Sequence, residues 1–207
     1  AQALWSTVGR TLRTDRLSLI EPGYELPGAT TAAEGRAARE RWALGNGPVV
    51  LCLGQLTPRS ELPVLVRAFA DVATTLPGAC LLLAGADHGG AATARDLARS
   101  LGIGDAVRFT GHLSPADRRT PIAAADVLAL PGATPTDRPT IVEALGCGLP
   151  AIVGPGAHVP DIETAGAGRV LAPDAVAWAQ ALHAMLADPS ARAGLSARAR
   201  QVAWTYA

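Results

Sequence analysis

The sequence of 207 residues contains no lysine; all 18 of its basic residues are arginine. No side chain can therefore form a lysine Schiff base, serve as an amine general base, or supply the phosphate-gripping lysine of a P-loop. Excess charge of either sign is missing as well. The 18 acidic residues bring the formal net charge to zero, and no basic run stands out. That withholds support from a nucleic acid or an anionic membrane surface as partner. Cysteine is scarce: Cys52, Cys80 and Cys147 are odd in number, widely spaced, and set in or beside apolar runs. Such thiols read as reduced and buried, not as a disulfide framework or a zinc site. His88, His112, His158 and His183 form no HExxH-like pair, so no metal is expected. No apolar run reaches the length of a membrane span, and the start carries no signal-peptide pattern. The expected setting is a soluble domain in the cytoplasm. No GxGxxG opens a helix after the first strand, which argues against a dinucleotide oxidoreductase.

What is present is an apolar chain, 49% hydrophobic and 17% charged. Its length suits one large domain with a sizeable core. From residue 49 onward, short apolar runs alternate with helix-period segments, the signature of a parallel sheet covered on both faces. Strands are expected at 49–53, 80–84, 107–110, 127–130, 151–153 and 169–171. Helices are expected at 62–76, 91–101, 115–124, 140–147, 158–164, 175–186 and 189–206. A glycine follows most strands, where the chain must turn tightly or approach a ligand. Right-handed crossovers would make this α/β chain a doubly wound, Rossmann-like sheet of about six strands, with helices on both faces.

The first 48 residues differ. Residues 2–12 read as the end of a helix and 16–20 as a short strand. Residues 21–28 form a turn-rich connector, and 31–43 a polar helix. Such an opening looks like a chain entered in mid-fold, which implies an N-terminal domain outside this sequence. The division expected is residues 1–48 as connector and trailing elements, and 49–207 as a ligand-binding domain.

The most informative stretch is Asp126-Val127-Leu128-Ala129-Leu130-Pro131, a polar loop, then Thr140-Ile141-Val142-Glu143-Ala144-Leu145-Gly146-Cys147-Gly148-Leu149-Pro150. It reads as a buried strand, a long loop and a helix, followed at once by another strand. In an open parallel sheet that loop lies at the carboxyl ends of the strands, where ligands bind. Thr140 and Glu143 have the spacing of a capping box, one reading of Glu143; a ligand-facing carboxylate is the other.

These pieces, with the runs Pro48–Leu56, Leu81–Asp87, Val107–Pro115 and His158–Ile162 in the same order, resemble the C-terminal, donor-binding half of a group 1 (family 4) glycosyltransferase of the two-lobed GT-B architecture. The resemblance covers nearly the whole chain; even Leu17–Gly23 resembles the connector leaving the N-terminal lobe. It implies transfer of a sugar, with retention, from a nucleoside-diphosphate sugar to an acceptor held by the other lobe. It implies no cofactor or metal beyond that donor. It also implies that this stretch alone does not turn over substrate, because the acceptor lobe lies outside it. The diphosphate needs N–H groups, a helix N-terminus and cationic side chains, which become catalytic as the leaving group gains charge. Glu143 occupies the position of the ribose-chelating glutamate.

The departures are pointed. The sugar-facing glutamate of the family is Pro135 here, and the Gly-Phe-Gly after it is Thr136-Asp137-Arg138. The arginine after the first glycine is Gln55, and the lysine five residues on is Ser60. Arg59 and Arg138 are chemically suited to compensate at the diphosphate; solvated loop charges are the other reading of both. Asp137 is a candidate for the lost carboxylate or an N-cap. Gly54, Gly85 and Gly111 would let backbone approach phosphate, sugar and base, with His112 and Leu113 flanking the base. His88 is a candidate phosphate contact, and Cys147 reads as packing. Three functions are compatible with this pattern: a divergent glycosyltransferase donor domain, a degenerate non-catalytic relative acting as a binding module, and another sugar-nucleotide enzyme such as an epimerase.

Overall fold

A computed structural model describes residues 23–207. The expected elements at 2–12 and 16–20, and most of the connector to residue 23, lie outside the described residues. Six parallel strands form one sheet: β1 (Val49–Leu53), β2 (Cys80–Ala84), β3 (Val107–Gly111), β4 (Val127–Leu130), β5 (Ala151–Val153) and β6 (Gly168–Val170), in the order β3-β2-β1-β4-β5-β6. Every residue of β1, β2, β4 and β5 is buried. That is why these strands read as unbroken apolar runs with no alternation. The helices are α1 (Ala32–Arg41), α2 (Leu62–Thr75), α3 (Ala91–Ser100), α4 (Arg119–Ala124), α5 (Arg138–Gly146), α6 (Asp161–Thr164), α7 (Ala175–Leu186) and α8 (Pro189–Trp204). α2 packs against α3 and α7 in one layer; α1 packs against α4, and α5 against α8, in the other. The doubly wound, Rossmann-like sheet is thus present as expected. Among the described residues no helix is long and apolar enough to cross a membrane.

Most departures from the expected elements have a local cause. The segment 115–124 divides into a 3-10 turn at Pro115–Asp117 and then α4, because the Ser114 hydroxyl accepts from the Asp117 N–H and closes the first turn on itself. The segment 158–164 keeps only the single turn α6. Pro155 opens a separate 3-10 turn ahead of it, and His158 then adopts a left-handed φ of 52°. β6 begins and ends one residue earlier than expected. α1 begins where Thr31 and Glu34 cap each other: the Glu34 N–H donates to Thr31 Oγ1 at 3.2 Å, and the Thr31 N–H to Glu34 Oε2 at 2.6 Å. The Thr31 N–H, followed by Arg119, holds the Glu34 carboxyl down at about 2.

Among the described residues the core is one cluster running through both helical layers, with Trp178 and Phe69 its largest fully buried side chains. Trp178 keeps its one polar atom satisfied by donating from Nε1 to Ala172 O at 2.9 Å. Cys52, Cys80 and Cys147 are all free and buried. Desolvation pushes the Cys52 thiol up to about 12 and the Cys147 thiol up to about 11, so both stay protonated and act as small apolar groups.

Two polar junctions tie elements together. At the amino ends of the strands, Asp126 Oδ2 accepts from the Val49 N–H and from Arg39 Nη2, each at 2.8 Å, and Oδ1 lies 3.5 Å from Arg192 Nε. One carboxylate thereby joins β1, the start of β4, α1 and α8. Near the chain end, Tyr206 donates from its hydroxyl to Asp161 Oδ2 at 2.7 Å, and its carbonyl accepts from the Tyr24 N–H at 3.0 Å. Burial first, and then the Asp161 carboxylate as acceptor and neighbouring charge, push the Tyr206 phenol up to about 12.

Removing the first junction with Asp126→Ala is expected to cost about 2–3 kcal/mol, because the Val49 N–H and the Arg39 guanidinium both lose a charged acceptor. Asp126→Asn keeps an acceptor and loses less. Urea unfolding checks both, and wild-type midpoints would remove Asp126 from this role. For the second junction the sign follows from a raised acid: its contribution is complete below the ordinary tyrosine value and is lost as pH climbs through about 12. The tyrosinate absorbance rising at that pH is expected to vanish in Tyr206→Phe and to move to lower pH in Asp161→Asn. An unmoved titration in the second variant contradicts the contact.

Candidate functional site

The loops leaving the carboxyl ends of β1 to β5 gather at one edge of the sheet, beside the point where strand order reverses between β1 and β4. The first two are stitched together. The Gly54 N–H donates to Ala84 O, the Leu56 N–H to Ala86 O, and the His88 N–H to Leu56 O, each at 2.9 Å. Gly85 makes this possible: a Cβ there would lie 1.8 Å from Gly54 O. Its freedom is spent on the neighbouring loop. Gly54 differs, for at φ 150° its missing side chain faces a gap whose first heavy atom is Asp137 Oδ1 at 3.9 Å. Gly111, at φ 70°, has no atom within 4 Å of where a Cβ would stand, so it opens outward. His112 beside it is exposed, and Leu113 is half-buried against the core. His88 is exposed in its own loop.

In the β1 loop, Ser60 Oγ donates to Gln55 O at 2.9 Å and accepts from the Thr57 N–H at 3.1 Å. The hydroxyl closes a 3-10 turn at Pro58–Ser60 and leaves Gln55 and Arg59 exposed at its rim. The Arg59 carbonyl is in close contact with Gly132 of the β4 loop, where a Cβ would stand only 2.0 Å from it.

The β4 loop corrects the expected helix start. The capping box is formed not by Thr140 and Glu143 but by Thr134 and Asp137. Asp137 Oδ2 accepts from the Thr134 N–H and hydroxyl, each at 2.8 Å, around a 3-10 turn at Pro135–Asp137. The backbone then runs straight into α5, with Pro139 at a first-turn position where a missing N–H costs little. Helix therefore begins two residues before the expected position 140, and Thr140 and Glu143 lie one turn apart within it.

That shift gives Thr140 and Glu143 a shared partner. Arg118, just before α4, donates from Nη2 to Thr140 Oγ1 at 2.7 Å, and its Nε stands 3.6 Å from Glu143 Oε2. The second distance is an ion pair and exceeds a hydrogen bond. Glu143 is 29% exposed at its side chain, and its Oε1 accepts no hydrogen bond among the described residues. Arg138, the first residue of α5, places its guanidinium carbon 4.7 Å from the centre of the Tyr206 ring. It therefore lies against Tyr206.

The structure thus brings Gly54 beside Asp137, just before α5, and Arg118 beside Thr140 and Glu143 within it. Gln55, Arg59 and His112 stand at the rim, and Ser60 is internal to its loop. Arg118 and Tyr206 went unnoticed in the sequence. The spacing of Thr140 and Glu143 signals a common partner, but nothing local says that it comes from the turn before another helix. Among the described residues no group of His, Cys, Asp and Glu could hold a metal ion.

Comparison with known proteins places this geometry. The model of the family "Glycosyl transferases group 1" matches residues 47–188. The chain is 30% identical over 196 residues to the GDP-mannose-dependent alpha-(1-6)-phosphatidylinositol monomannoside mannosyltransferase of Mycolicibacterium smegmatis, covering 89% of this chain and 50% of that protein. It is 32% identical over 209 residues to the D-inositol 3-phosphate glycosyltransferase of Kineococcus radiotolerans, covering 89% and 47%. The chain thus spans about half the length of these curated relatives. In fold it matches Anabaena Alr3699/HepE, solved in complex with UDP-glucose, with a TM-score of 0.80 at 21% identity, over 100% of this chain and 58% of that one. With a family match across most of its sheet and relatives matched along most of its length, the chain belongs to the group 1 glycosyltransferases.

Proposed function

We propose that this chain is the donor-binding part of a retaining glycosyltransferase, holding a nucleoside-diphosphate sugar across the carboxyl edge of its sheet for transfer to an acceptor bound by a separate lobe. The observation that carries the reading is Glu143: a partly exposed carboxylate with one oxygen held near Arg118 and the other without a donor among the described residues, beside the reversal of strand order. Such an oxygen suits the paired hydroxyls of a ribose. The diphosphate would lie toward Gly54 and the start of α5, with Arg138 and Arg59 as its candidate cations. These guanidiniums stabilise charge as the glycosidic bond breaks and the diphosphate departs, so the reading invokes no metal ion. Gly111, His112 and Leu113 border the place left for the base, and Asp137 faces the sugar end. This assignment fits a protein working in the cytoplasm, where nucleotide sugars are held.

A non-catalytic binding module is the second reading. The engagement of Arg138 with Tyr206, the internal bonds of Ser60, and proline at position 135 favour it.

Calorimetric titration with UDP, GDP, ADP and TDP, beside their nucleosides, separates the two. Saturable binding of one diphosphate is expected, weakened by about 1–3 kcal/mol in Glu143→Gln, as for a lost hydrogen bond to a charged group. Unchanged affinity in that variant takes Glu143 out of the site, and silence from all four diphosphates leaves the binding-module reading. Arg138→Ala is expected to weaken the diphosphate while sparing the nucleoside; equal losses would reject its phosphate role.

A further inference from the structure

We propose that Arg118 is a positioning residue for the donor: it fixes the Glu143 carboxylate in the orientation that meets the ribose, and so links the base-side loop to the ribose-side helix. The inference rests on the reading of Glu143 as the ribose ligand. Three observations point to it. First, one guanidinium spans two residues a helical turn apart, with Nη2 on Thr140 Oγ1 at 2.7 Å and Nε 3.6 Å from Glu143 Oε2. The Thr140 hydroxyl is buried and anchors the fork, so the charge beside Glu143 is held in place. Second, the contact engages Oε2, and among the described residues none donates to Oε1, so Arg118 orients the carboxylate without covering it. Third, Arg118 directly follows the turn after Gly111, His112 and Leu113, so the loop bordering the base leads into the residue beside the ribose ligand.

Stability does not explain the pair. The two side chains are 36% and 29% exposed, and ion pairs so open to solvent add little to folding. An arginine also gives what a point charge would not, because its planar fork reaches the hydroxyl and the carboxylate from one rotamer.

The test is titration of wild-type chain, Arg118→Met and Arg118→Lys with the diphosphate that binds best and with its dideoxy counterpart, which lacks both ribose hydroxyls. Arg118→Met keeps most of the apolar stem, and thermal melting checks that it folds. It is expected to weaken the ribonucleotide about fivefold, to leave the dideoxy compound unchanged, and to add nothing in a Glu143→Gln background. Arg118→Lys restores part of the loss. Equal losses for both ligands overturn the proposal in favour of a structural role or a direct phosphate contact. Unchanged or tighter ribonucleotide binding overturns it by making Arg118 a bystander or a competitor. Failure of the underlying reading looks different: the folded wild-type chain then binds no diphosphate, or Glu143→Gln binds as well as wild type.

Discussion

The strand order reverses between β1 and β4, so these central strands are neighbours in space although β2 and β3 come between them in sequence. The Asp126 carboxylate ties their starts together. It accepts from the first N–H of β1 while its own N–H donates to Val49 O at 2.8 Å, and Arg39 and Arg192 balance its charge from two helices. Pairing of Val50 with Val127 and Leu51 with Leu128 follows directly from that start. Once the two strands begin together they also end together. Gly54 and the β4 loop then face each other at the opposite edge, with Asp137 beside the glycine. The carboxylate at one edge thus helps to align the strands whose loops meet at the other.

Close approach at that cleft edge is mostly chain against chain. Read from the sequence, glycines after strands mark tight turns or ligand contact, and Gly54, Gly85 and Gly111 were all assignable to a donor. The structure divides them. Gly85 is consumed by the Gly54 carbonyl, whereas Gly54 and Gly111 open outward. A sheet whose loops must lie flat on one another needs glycine for reasons unconnected with binding, and sequence alone does not separate the two demands.

The same division describes what was legible. Strands β1, β2, β4 and β5 emerge with their bounds because burial on both faces leaves an uninterrupted apolar run between turn residues. The start of α5 was misplaced because two threonine-led capping boxes stand six residues apart. The choice between them depends on whether Asp137 turns back to Thr134, which is a matter of tertiary fit. Glu143 was singled out through family resemblance, and Arg118 was not, because its partners lie 22 and 25 residues along the chain, on another element. Long-range side-chain pairing leaves no periodic trace.

The absence of lysine gains meaning in this setting. Arg39 reaches a carboxylate and the Gly47 carbonyl together, and Arg119 reaches Glu34 and the carbonyls of Gly28 and Ala29. A planar fork with five donors can splice helix, loop and connector in this way, and an ammonium on a flexible stem does it less well. The start of α5 shows what the lack of lysine would mean for an anion. A helix start ordinarily offers an anion several unpaired N–H groups. Here the Arg138 N–H is taken by Pro135 O, and Pro139 has none to give. Two of the first-turn donors are gone, so any diphosphate held there must be met more by side chains than by backbone. In a chain without lysine, the permanently cationic side chains available for that are guanidiniums.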